Sequence, residues 1–228
     1  MRAIVLFNRA LDGMLDLRPR ETVMTRPKTH RLMTEEEFLR SEEGARIRHE
    51  FVGGYVFAMT GSSDAHNVIC GNIFAALHAR LRGGTCLAYM NDMKVKIRSA
   101  NSFYYPDIVV TCEGFAAKSV YKEQPILIVE ILSPSTRQID LREKLVAYQK
   151  IESLKEYIIV HQDRRQIEVF RQLKGVWENE TIDQEQSLFI RSLPGEELKL
   201  AFNDIYGDYN PPSRVKEEDA EYECEMSK

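Results

Sequence analysis

From Thr34 onward the apolar positions fall into short runs whose spacing alternates between helical and extended. Thr34, followed three residues later by Glu37, is a capping-box pattern, so a short helix opens there and carries Phe38 and Leu39. Arg48 to Met59 reads as two strands around Gly53-Gly54, the composition of a tight hairpin. Asp64 can cap a helix in which Val68, Ile69, Phe74, Ala76, Leu77 and Leu81 recur at roughly helical spacing, and Arg82-Gly83-Gly84 ends it. Four strands follow, at 86–90, 93–98, 105–111 and 125–132. A second helix, Asp140 to Ile151, presents Leu141, Leu145 and Tyr148 on one side. Glu156 to His161 and Gln166 to Gln172 pair across a turn at 162–165, and further strand-like segments surround Trp177 and Leu188 to Ile190. Strands predominate and the two principal helices come early and mid-chain, which predicts an α/β layered domain around a central mixed β-sheet flanked by helices.

The ends read differently. Residues 1–30 hold no sustained period and are broken by Pro19 and Pro27, so a poorly ordered extension is expected, with Met24 an alternative translation start. The domain proper then spans 31–210, and Pro211-Pro212 opens an acidic, disordered tail over 211–228. Apolar residues make up 43% of the 228, enough for a sizeable core. No stretch approaches the roughly 18 consecutive apolar residues of a membrane span, and the run Ala3–Phe7 is too short for a signal-peptide core, so a cytoplasmic protein is expected. Cys70, Cys86, Cys112 and Cys224 form no local pair, and the five histidines are scattered, which argues against structural zinc and for a few buried thiols rather than disulfides. The formal net charge of −4 conceals a gradient: six acids and one base lie between Glu217 and Lys228, while the first 31 residues hold seven bases and three acids. The body has no basic stripe, so any nucleic-acid contact must be local.

Two strands contain an acid where a core strand should have none. Pro125–Leu132 is a nearly continuous apolar run, the pattern of a strand covered on both faces, yet it includes Glu130. An ionised carboxylate there costs several kcal/mol unless a cation or hydrogen bonds compensate it. Asp107 opens the apolar Ile108-Val109-Val110 in the same way. If the two strands are neighbours, both carboxylates enter one cleft, a seat for Mg²⁺. Taken singly, Glu130 could instead partner a buried arginine or emerge at a strand end, and Asp107 could be turn chemistry after Pro106.

Pro106-Asp107, with Glu130 in a hydrophobic strand about two dozen residues later, resembles the PD-(D/E)XK motif of the restriction-endonuclease-like superfamily. Four stretches, His49–Gly54, Tyr105–Val110, Val129–Thr136 and Asp140-x-x-x-Lys144-x-x-x-Tyr148, are similar to a bacterial family of restriction-endonuclease-like proteins once classed as a domain of unknown function. The resemblance spans roughly residues 30 to 200 and implies a restriction-endonuclease-like fold. It departs from the superfamily in one respect. Leu132 stands where the motif lysine belongs, and Lys144 on the following helix is the matching candidate. Asp140, Lys144 and Tyr148 share a helix face at i, i+4, i+8, and the plain alternative is an Asp140–Lys144 surface pair.

The family likeness implies a third acid at Glu50, which with Asp107 and Glu130 would bind Mg²⁺, or Mn²⁺ in its place. Asp107, Glu130 and Lys144 are then the catalytic candidates, with His66, Ser133, Thr136 and Tyr148 as accessories. Alone, His66 reads as a solvated or capping residue. Lys94 and Lys96 share a strand face and are candidates for phosphate contact, or guards on an edge strand. The implied activity is hydrolysis of DNA phosphodiester bonds. Two alternatives stand beside it: a catalytically degenerate module that binds nucleic acid or a protein partner, and a hydrolase of another phosphoester. A homodimer is expected from the resemblance alone.

Overall fold

A computed structural model of the chain describes residues 32–59, 61–132, 139–183, 186–207 and 209–211, with 139–141 described by their backbone. Helix α1 (Glu35–Glu42) begins at the expected capping box: Thr34 Oγ1 accepts from Glu37 N at 3.2 Å, and Glu37 Oε2 accepts from Thr34 N at 2.9 Å. Strands β1 (His49–Val52) and β2 (Tyr55–Ala58) form the hairpin. Its two central residues, Gly53 and Gly54, have φ of 58° and 96°, a conformation that residues with a side chain adopt at a steric cost.

Helix α2 (Asp64–Leu81) is capped by Ser63 rather than Asp64; Ser63 Oγ accepts from His66 N, and Asp64 is the exposed first residue. A hydroxyl one position upstream offers the same acceptor, which sequence spacing does not distinguish. Then come β3 (Leu87–Met90), β4 (Lys94–Ile97), β5 (Ser102–Tyr104), β6 (Ile108–Thr111), β7 (Tyr121–Lys122) and β8 (Pro125–Leu132). The expected helix over Asp140–Ile151 is shorter and partly of wider pitch: a π-turn over Ile139–Lys144 runs into α3 (Leu145–Tyr148). The chain continues through β9 (Glu156–His161), β10 (Gln166–Leu173), β11 (Val176–Asp183), β12 (Ser187–Ile190), β13 (Leu198–Ala201) and α4 (Phe202–Tyr206).

Among the described residues the strands build two mixed sheets and a hairpin. A six-stranded sheet runs β11-β10-β9-β8-β6-β3, with β8 and β9 parallel and the other pairs antiparallel. A five-stranded sheet runs β2-β1-β5-β4-β7, and β12 pairs with β13. The apolar run of β8 is explained by cover on both faces. Leu127, Val129 and Ile131 join a core with Ile69, Ile73 and Leu77 of α2, whereas Ile128 and Leu132 join a second core with Val95, Ile97, Tyr104 and Tyr148. Glu130 has the parity of that second face. None of the helices among the described residues is long and apolar enough to cross a membrane.

Two expectations are corrected here. Strand β4 lies between β5 and β7, so Lys94 and Lys96 do not guard a sheet edge. The cysteines are also not all thiols. The antiparallel register Leu87↔Thr111 carries Cys86 opposite Cys112, and the two are joined in a disulfide. That proximity depends on strand pairing, which widely spaced cysteines do not reveal. Cys70 is a buried free thiol, and burial first, then the charge of Asp107, pushes it up to about 12.

Candidate functional site

The acids singled out by sequence meet at one end of β6 and β8. Pairing Ile108↔Val129 brings the residue before β6 beside the end of β8, so Asp107 N donates to Glu130 Oε2 at 3.3 Å. In return Ile131 N donates to Asp107 Oδ2 at 2.7 Å. Glu50 arrives from β1, where its Oε1 accepts from Tyr105 N at 3.3 Å. The crossover between β8 and β9 then brings Lys144 over this face. Its Nζ lies 3.0 Å from Glu50 Oε1 and 3.2 Å from Glu130 Oε1. Tyr148 OH, one helical turn on, donates to the same Glu130 oxygen at 2.9 Å.

Burial makes these contacts matter. Glu130 is 3% exposed and Lys144 5%. A bare carboxylate so placed would lose several kcal/mol of hydration, and a shared ammonium plus hydrogen bonds replaces it. Lys144 is therefore no surface residue, and Glu130 is no solvated strand end. Burial first, then the neighbouring Glu130 charge, hold the Tyr148 hydroxyl well above its ordinary value, so it stays a donor.

His66 is 7% exposed, not solvated, and its Nε2 lies 3.1 Å from Asp107 Oδ2. Ser133 and Thr136 lie outside the described residues. Lys94 and Lys96 are not part of the acidic cluster. Lys94 is buried and donates to Tyr105 OH at 3.0 Å, while Lys96 pairs with Glu35, so neither offers an open ammonium for phosphate. Burial lowers Lys94 below its ordinary value. Sequence reasoning missed the three amides, Tyr105 N, Asp107 N and Ile131 N, that fix the acids, because backbone groups carry no residue signature.

No group of three His, Cys, Asp or Glu among the described residues converges closely enough to enclose a metal. The donor set nevertheless fits magnesium, which takes one or two carboxylates and completes its shell with water and substrate oxygens. All three acids are hard oxygen donors. Both hydrogen bonds of the Asp107 carboxylate fall on Oδ2, leaving Oδ1 without a partner among the described residues.

Comparison with known proteins shows the family and the fold. Residues 35–202 match a family model, Uma2, described as "Putative restriction endonuclease". An uncharacterized protein of Synechocystis sp. is 33% identical over 139 residues, 60% of this chain and 73% of that one. Another from the same organism is 29% identical over 148 residues, covering 64% and 84%. A crystal structure described as a putative nuclease of DUF820 from Anabaena variabilis superposes with a TM-score of 0.64 at 18% identity, over 76% of this chain and 97% of that one, which shows a shared fold.

Proposed function

From the premise that the chain belongs to the Uma2 family of "Putative restriction endonuclease" proteins, we propose that it is a magnesium-dependent endonuclease that hydrolyses phosphodiester bonds in DNA. The observation that carries this reading is that the acids at one end of β6 and β8 are tied together: Lys144 Nζ contacts both Glu50 and Glu130, and the Asp107 amide donates to Glu130. Carboxylates gathered at one end of a sheet suit a divalent cation, with Mn²⁺ a substitute for Mg²⁺. Glu50, Asp107 and Glu130 would hold it.

Such a cation supplies Lewis acidity, lowering the pKa of water and neutralising charge on the phosphate. The chain's own residues do the rest. Glu130 and Glu50 hold the Lys144 ammonium in one position, where it offsets negative charge as a phosphate is attacked. Tyr148 and the Asp107 amide fix the two oxygens of Glu130, so that little reorganisation accompanies the reaction. Lys144 thus takes the part of the strand lysine replaced by Leu132.

The test is incubation with supercoiled plasmid and Mg²⁺ or Mn²⁺. Nicking is expected, abolished by EDTA and by Glu130→Ala, and reduced by about a hundredfold or more in Lys144→Ala. Full nicking by Lys144→Ala would remove the lysine from the reaction. Folded wild-type protein that cuts under no metal would replace this reading with that of a non-cutting binding module, which the substitution at Leu132 favours.

A further inference from the structure

His66 is a buried titratable side chain that the proposed chemistry does not use. It is the third residue of α2, and its placement is over-determined. Ser63 Oγ accepts from the His66 amide at 3.2 Å and itself donates to Gln162 Oε1 at 2.6 Å, tying the helix start to the segment after β9. The imidazole is thereby delivered to Asp107, with Nε2 3.1 Å from Oδ2. That oxygen is also the one to which Ile131 N donates. An ionised carboxylate accepts only, so Nε2 is the nitrogen whose hydrogen is donated to Asp107. Nδ1 is buried without a hydrogen-bond partner among the described residues. A leucine would fill the space without that unsatisfied group, so the imidazole's contribution lies on its other side, at Asp107.

We infer that His66 is a positioning residue: its Nε2–H and the Ile131 amide together hold Asp107 Oδ2, so that Oδ1 is the oxygen presented to a divalent cation. Two donors converging on one oxygen pin that oxygen in space, and with it the Asp107 side-chain rotamer, which a single bond would leave freer to change. The backbone on either side is fixed as well, since Asn91 N donates to Asp107 O at 3.0 Å and Asp107 N is held by Glu130. The cation half of the inference rests on the endonuclease reading; the positioning half does not.

The experiment reads the two halves separately on the full chain. In metal-free protein labelled on aspartate, Hα–Hβ couplings report the Asp107 rotamer. A single rotamer is expected in the wild type and in His66→Gln, which retains an N–H donor, and rotamer averaging is expected in His66→Ala. Mn²⁺ affinity, measured by titration calorimetry, should fall by about 10- to 100-fold in His66→Ala and be largely restored in His66→Gln. His66→Leu replaces the alanine variant if that fails to fold, because it fills the same space without a donor. A single Asp107 rotamer in the donor-less variant overturns the inference, whatever its affinity. Rotamer averaging beside a wild type that binds no Mn²⁺ upholds the positioning role and overturns the endonuclease reading instead.

Discussion

Glu130 on β8 and Glu156 on β9 are buried to nearly the same extent, 3% and 2% exposed, on adjacent parallel strands of one sheet. Each faces a buried base, yet the two are completed differently. Glu156 Oε1 accepts from Arg171 Nε at 2.8 Å, directly across the β9–β10 register. Its Oε2 accepts from Arg191 N, Ser192 N and Ser192 Oγ at 2.9, 2.8 and 2.7 Å. Arg171 goes on to Glu180 and to Phe189 O, so one ion pair fastens β9, β10, β11 and β12. Every acceptor there is filled by the chain itself. At Glu130 the base is shared with a second acid, as Arg171 is with Glu180, but a third acid stands alongside and Asp107 keeps one oxygen unbonded among the described residues. The first arrangement closes a structure; the second is the one we propose to hold a cation.

The sharpest way to break this comparison is to neutralise each cluster in turn. Arg171→Ala should cost about 3–5 kcal/mol in urea unfolding, because it strands the buried Glu156. Glu130→Gln should cost far less, since Glu50 still pairs with Lys144. Equal losses would make the two clusters alike. A smaller effect comes from the cation. Mg²⁺ at about 100 times its dissociation constant should stabilise the wild type by about 2.7 kcal/mol, raising its Tm, and should leave Asp107→Asn unchanged. Equal shifts in both proteins would place the ion elsewhere.

The smallest effect concerns a third buried acid, Glu42, which accepts from Tyr105 OH at 2.8 Å and His49 Nδ1 at 2.9 Å. Burial opposes its ionisation, but hydrogen bonds from Tyr105 and His49 outweigh it and hold the carboxyl below its ordinary 4.5. A lowered folded value gives stability that is present above 4.5 and lost as pH falls through the folded value. The stability difference between wild type and Glu42→Gln should therefore shrink on acidification below 4.5, and a constant difference in urea unfolding would refute it.

What the sequence revealed follows the range of the interactions. The Thr34 capping box and the Gly53-Gly54 hairpin are local and appear as read. The short strands β5 and β13 and helix α4 were not anticipated, because three to five residues carry too little period and depend on distant partners. The Cys86–Cys112 bridge and the interior place of β4 fail for the same reason: each depends on strand pairing. In the site, Glu130 betrayed itself as a charge in an apolar strand. Lys144 needed the family likeness, since an Asp-x-x-x-Lys helix is ordinary surface chemistry. Glu156 opens an apolar strand just as Asp107 does, so that signal alone does not separate a structural acid from a reactive one. The partners do.

Because β8 and β9 are parallel, the chain between them must travel back along a face of the sheet, and here it brings the π-turn and α3 over Glu130. A lysine on the strand, two residues after the glutamate, would take its direction from the pleat, and only an even step would keep it on that face. On the crossover its direction comes from rotation about a helix axis, roughly 100° per residue. The ammonium is aimed as a hand is set on a dial. One residue inserted or deleted in that turn would swing it away from both acids while leaving every strand in register.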